Sequence, residues 1–188
     1  MIPAGWHLSP PEIETERLLL RCPQEEDGPE LYAAISESLA ELRPWFAWTA
    51  DLNLTAENST VTAVHARERF LSAKEMQFYL FAKGGTELQG VCGLAKPDWI
   101  KRTFEICYWL RTRFVGHGTM TEAVIAVTQF ALQDLWARRI EARFDPANEK
   151  GIAVALRAGY VVEPTLPDDS HRSIHDEQTK IDLLVRLA

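Results

Sequence analysis

The run from residue 77 to residue 131 restricts the fold of this chain more than any other part of it. Residues 77–82 (QFYLFA), 90–94 (GVCGL) and 104–110 (FEICYWL) are strand-length, apolar and aromatic, and Gly84-Gly85 and Pro97-Asp98 separate them. Neighbouring antiparallel strands are the simplest arrangement of such a series. After Gly116-His117-Gly118 the period changes, and Met120, Ala123, Val124, Val127, Phe130 and Ala131 fall on one face of a helix.

The flanking segments extend this pattern. Residues 14–21 (ETERLLLR) predict a first strand, and Glu25-Glu26-Asp27 before Pro29 predicts a helix start. Leu31, Ile35 and Leu39 then recur at helical spacing up to Arg43-Pro44, and the aromatic residues Trp45, Phe46 and Trp48 occupy the connection that follows. A second helix is expected from Thr55 to about Lys74. Beyond the central run, residues 139–144 alternate as a strand, residues 152–157 form a short helix, and strands follow at 159–162 and 180–187 around a polar loop at 163–178. The expected fold is therefore α/β (mixed α+β), a central mixed and mostly antiparallel sheet flanked by helices, with residues 1–188 as a single domain.

Composition narrows the function. A formal charge of −7 with no Lys/Arg block disfavours direct nucleic-acid binding and suits cationic partners such as amines. Cys22, Cys92 and Cys107 form no close pair, as expected in a reducing cytoplasm, and no apolar run is long enough for a membrane span. His171 and His175 have metal-like spacing only on a helix, so no metal is expected.

The segment Arg113-Phe114-Val115-Gly116-His117-Gly118-Thr119 joins a strand to the amphipathic helix. Two glycines allow the backbone to approach a ligand, and a helix start offers unpaired N–H groups and the positive end of the dipole, which together suit a pyrophosphate. A strand, a Gly-x-Gly turn and a helix also describe ordinary packing. Thr119-x-x-Glu122 reads equally as a capping box, which needs no ligand and would put a carboxylate in the first turn unless Glu122 faces away. Thr121 stands where a dinucleotide fingerprint needs its third glycine, which excludes that motif.

Arg113-x-x-Gly116-x-Gly118 resembles the acetyl-CoA signature of the GNAT superfamily of N-acyltransferases. Tyr108-Trp109-Leu110, Thr121-Glu122-Ala123, Asn148, Ala158-Gly159-Tyr160, Thr15-Glu16-Arg17-Leu18, Arg43-Pro44-Trp45 and Asp182-Leu183-Leu184 are similar to the RimJ/RimL branch, and they span nearly the whole chain. The resemblance implies a GNAT-like sheet and an acetyl-CoA-dependent N-acetyltransferase in which an amine attacks the thioester directly. Val115, Gly116, His117, Gly118 and Thr119 would hold the pyrophosphate with Arg113. Tyr108, Trp109 and Leu110 would run beside the pantetheine, with a backbone N–H polarising the thioester oxygen, and Asn148 would lie at the cofactor as a catalytic residue. His117 either touches a phosphate or is an exposed loop residue.

Proton transfer away from the amine calls for a base, for which Glu105 and Glu141 are the candidates, Glu105 first; either is otherwise a solvated sheet carboxylate. Trp45, Phe46 and Trp48 either line an acceptor pocket or cap the core. The branch often carries a serine three positions after the asparagine, and other members a tyrosine donor; here these positions are Gly151 and Ala155. The expected partners are an amine acceptor, either a protein N-terminus or a small molecule, and a second copy in a homodimer. The missing donors keep open an alternative, a catalytically weak acyl-CoA-binding sensor or interaction module.

Overall fold

The computed structural model describes residues 10–50, 53–163 and 182–187. In chain order the elements are β1 (Ile13–Glu14), β2 (Leu18–Arg21), α1 (Gly28–Leu42), α2 (Ala56–Leu71), β3 (Met76–Ala82), β4 (Leu88–Asp98), β5 (Thr103–Leu110), α3 (Thr119–Gln133), β6 (Arg139–Phe144), α4 (Glu149–Arg157), β7 (Val161–Glu163) and β8 (Asp182–Leu187). The strands form one sheet in the order β1-β2-β3-β4-β5-β6-β8-β7. Every neighbouring pair is antiparallel except β5 and β6, which run parallel.

Helices cover both faces, as the alternation along the strands requires. On one face Phe78 and Leu80 of β3, Phe104 and Ile106 of β5 and the buried side of α3 share a core. The α3 side chains Ala123, Val124, Val127 and Ala131 are fully buried, with Met120 and Phe130 nearly so, so the helical period of the sequence is the stripe that packs. Complete burial of Val124 or Val127 contributes about 1.5–3 kcal/mol each. On the opposite face Tyr79 and Phe81 pack with Leu31 and Ile35 of α1 and Ala63 of α2, and Trp109 joins them.

Two segments differ from their sequence reading. Residues 14–21 are not one strand but a tight hairpin, in which the Leu18 N–H donates to Thr15 Oγ1 and the Thr15 N–H donates to the Leu18 carbonyl. The local hydroxyl supplies the turn chemistry that an apolar count misses. Pro97-Asp98 is not the β4–β5 turn either: β4 runs through both residues, and its register with β5 slips by one between Ala95 and Asp98. Lys96 sits at φ 46 within this irregularity, so the proline lies at a bulge, where a strand tolerates it. The polar loop lies almost wholly outside the described residues.

Candidate functional site

A wedge in the sheet defines the site. Strands β5 and β6 pair only at Thr103–Arg139, Phe104–Ile140 and Glu105–Glu141, and both strands then continue while diverging. Arg111 donates its N–H to the Gln89 carbonyl on the β4 side; strand alternation therefore turns the N–H groups of Tyr108 and Leu110 toward the opening. A cleft of about 750 Å3 fills the divergence, with residues 105–110 on one wall and Arg143, Phe144, Asn148 and Gly151 on the other. It also takes in Val115, Gly116 and Gly118 at the start of α3, and Trp45 and Phe46 after α1.

The start of α3 is open. Gly118 occupies the N-cap position at φ 77 and makes no side-chain cap, and Gly116 sits at φ 92; a Cβ built at either residue would face open space or, at Gly118, only the Arg17 guanidinium at 3.6 Å. No described residue accepts from the backbone N–H groups of Gly116 through Thr121. The capping box is not formed, because Thr119 is already the first helical residue and Glu122 turns to the connection between β1 and β2. There Glu122 accepts from Thr15 Oγ1 at 2.5 Å, from the Arg17 N–H at 3.1 Å and from Arg17 Nε at 2.6 Å. Burial pushes the Glu122 carboxyl up, and these hydrogen bonds outweigh it and hold it below the usual range. Arg17 also donates to the His117 carbonyl at 3.0 Å. The negative charge that argued against a phosphate at this helix start is thus neutralised on the side away from the cleft.

The short turn Thr112–Phe114 that precedes the glycines is tied to α1. Glu37 Oε1 accepts from the Arg113 N–H at 3.3 Å and Ser38 Oγ from the Thr112 N–H at 3.0 Å. Arg111, its side chain 7% exposed, donates to Glu37 at 2.7 Å and lies 3.5 Å from Glu30 and 3.4 Å from Glu87. The Arg113 guanidinium also pairs with Glu37 and Glu87 and does not line the cleft. Burial raises the Glu37 carboxyl, and hydrogen bonds from Arg111 and the Arg113 backbone reverse that and leave it lowered.

The two candidate bases are cross-strand neighbours at the closed end of the wedge. Glu105 lines the cleft, and its Oε2 lies 3.0 Å from Lys96 Nζ and 3.5 Å from Arg143 Nε. Glu141 is held at 2.7 Å by both Arg139 and Arg143. Burial raises its carboxyl and the two arginines overcome this, leaving it lowered. Glu141 does not line the cleft. Burial pushes the Cys107 thiol up to about 12, and buried Cys92 is raised in the same way, which disfavours both as nucleophiles.

Asn148 caps α4, its Oδ1 accepting from the Gly151 N–H at 3.0 Å. Tyr108 crosses the wedge from β5, and its hydroxyl donates to the Gly151 carbonyl at 2.8 Å. The structure therefore brings Glu105, Tyr108, Trp109, Leu110, Val115, Gly116, Gly118, Thr119, Asn148, Trp45 and Phe46 to one cleft. Arg113, His117 and Trp48 do not reach its lining; Trp48 is exposed and rests on Phe46, the ring centroids 5.8 Å apart. Arg143, Lys150 and Arg157, which do line it, were missed. The alternation Arg139, Glu141, Arg143 along one face of β6 was the available signal for Arg143. His171 and His175 lie outside the described residues; among the described residues no cluster could hold a metal, and no helix is long and apolar enough to cross a membrane. A second groove, of about 810 Å3, lies between residues 11–16 and the outer side of α3; it shares Gly118, Thr121 and Arg157 with the cleft but includes no residue of β5 or β6.

A splayed parallel pair beside an uncapped helix start offers a free strand edge to an extended ligand and the positive end of a helix to an anion. The Acetyltransferase (GNAT) domain family matches residues 17–161, and the chain belongs to that family: it is an acetyl-CoA-dependent N-acetyltransferase. It is 23% identical over 172 residues to YdaF of Bacillus subtilis (strain 168), provisionally named a ribosomal N-acetyltransferase, covering 91% of this chain and 93% of that protein. Among solved structures, the fold is similar to RimL, the ribosomal L7/L12 alpha-N-protein acetyltransferase, in complex with coenzyme A (TM-score 0.83, 19% identity, 94% of this chain and 98% of that one). It is likewise similar to the microcin C7 self-immunity acetyltransferase MccE in complex with acetyl-CoA and AMP (TM-score 0.81, 21% identity, 93% and 94%).

Proposed function

We propose that this enzyme acetylates the N-terminal amine of a protein. One observation carries the reading: a single cleft takes in the open start of α3, the wedge and the aromatic residues Trp45 and Phe46. Donor and acceptor can therefore meet inside the wedge without a covalent enzyme intermediate. The names of YdaF and RimL, which refer to ribosomal proteins, support a protein acceptor.

In this reading the N–H groups from Val115 to Thr119 hold the pyrophosphate, and Lys150 and Arg157 of α4 add positive charge along the same cleft. The strand edge at Tyr108 and Leu110 pairs with the pantetheine amides, and one of its N–H groups polarises the thioester oxygen. Asn148 spends Oδ1 on its cap and offers Nδ2 to the cofactor. Glu105 receives the proton that the amine must lose, through water, on an oxygen that Lys96 and Arg143 leave free.

The test is a panel of peptides with free N-terminal serine, alanine or methionine, the same peptides with blocked N-termini, and a polyamine, each incubated with the enzyme and acetyl-CoA. Release of free thiol with the unblocked peptides alone, and an acetyl group located on the α-amine by mass spectrometry, is the expected result. Acetylation of the polyamine and of no peptide would overturn it.

A further inference from the structure

Direct transfer leaves a thiolate in the wedge, and a sulfur anion in a partly dry cleft needs a donor. Among the described residues lining the cleft, side-chain hydroxyls belong to Thr119 and Thr121, at the start of α3, and to Tyr108, inside the wedge. Gly151 and Ala155, one turn apart on the facing helix, have none. The Tyr108 hydroxyl reaches that turn, donating to the Gly151 carbonyl at 2.8 Å with the Ala155 backbone N–H beside it, and its ring packs against Phe144 at 5.7 Å across the diverging strands.

We propose that Tyr108 is the catalytic residue that stabilises the leaving group, by turning its hydroxyl from the Gly151 carbonyl to the sulfur of coenzyme A. The assignment rests on the acetyl-transfer reading. As the amine nitrogen bonds to the carbonyl carbon, the C–S bond breaks and its electron pair leaves on sulfur. Tyr108 keeps its proton and donates a hydrogen bond to that anion, while the surplus proton of the amine passes through water to Glu105. Burial pushes the Tyr108 phenol far above its ordinary range, so it acts as a hydrogen-bond donor throughout the working pH range and not as a proton source. The glycine opposite is part of the same arrangement. A Cβ at residue 151 would stand 2.9 Å from Asn148 Oδ1, so a serine there fits only by displacing the end of that flexible cap.

The test reads the bound sulfur directly, without an acceptor. The thiol of free coenzyme A, with a reference pKa of about 8.5, is titrated by thiolate absorbance in complex with the wild-type enzyme and with Tyr108→Phe, after thermal melts show both folded. The wild-type complex should titrate below the phenylalanine complex by about one pH unit or more, a tenfold change in the ionisation constant, as expected for a hydrogen bond to a charged group. Single-turnover acetylation of an N-terminal serine peptide should fall by about tenfold or more in the variant. Gly151→Ser in the Tyr108→Phe background should recover part of the shift, since it returns a hydroxyl to the same place. Identical titration of the two complexes would overturn the assignment. A shifted thiol with no amine acetylated by wild type would leave the contact with sulfur standing and overturn the transfer reading instead.

Discussion

At the level of single residues, the proposed reading assigns Gly118 to holding the donor and Glu105 to deprotonating the acceptor, and the two roles can be tested apart. Asp is among the residues that tolerate the left-handed backbone of Gly118, and an Asp at an N-cap can itself satisfy the first N–H groups of α3. Gly118→Asp should therefore leave the melting temperature unchanged or slightly raised while weakening acetyl-CoA binding by more than about tenfold, because its carboxylate competes with phosphate for the same donors. Calorimetric affinity equal to wild type in the folded variant would show that the phosphates sit elsewhere. Glu105→Gln should lower the rate with a protonated amine by about a hundredfold or more with little change in cofactor affinity. An unchanged rate across pH would leave Glu105 as a partner of Lys96 and Arg143 and nothing more.

Elements, more than residues, decide where the glycine turn sits, and α1 is the element that holds it. Glu37 and Ser38 take the N–H groups of Arg113 and Thr112, and Glu37 also pairs with the buried Arg111. Glu37→Ala should cost about 1–3 kcal/mol in urea unfolding and weaken acetyl-CoA binding together, since Arg111 loses its closest partner and the turn before Gly116 loses its anchor. Full affinity in the destabilised variant would uncouple the two. The sequence made much of this architecture legible. The stripe from Met120 to Ala131 is the buried face of α3, and Thr55 caps α2 as its position suggested, accepting from the Asn58 N–H at 3.1 Å. Local pattern could not show that β5 and β6 part after three rungs, because nothing within either strand records its partner's direction. Nor could spacing show that Glu122 answers to Arg17, 105 residues away by sequence, when a nearer capping role fitted the same residues.

For the molecule as a whole, charge pairing sets an acid limit. The carboxyls of Glu37, Glu122 and Glu141 are all held below their ordinary range in the folded protein. Such groups contribute stability that is complete above the unfolded-chain value of about 4.3 and is lost as pH falls through their lower folded values. Urea midpoints should hold steady from about pH 7 to pH 5 and decline below about pH 4.5; a midpoint flat through the acid range would mean that these pairs contribute nothing. The three-rung junction of β5 and β6 has a different consequence, written in isotope exchange. Amides inside a sheet are ordinarily its slowest to exchange, yet those of Tyr108 and Leu110 point into a gap in the middle of this one. In deuterium they should exchange early in the free protein and slow as acetyl-CoA is added, while their odd-numbered neighbours, locked to β4, change little. The pattern would be a footprint of every other residue along one strand, and it would register the thioester carrier as a temporary ninth strand.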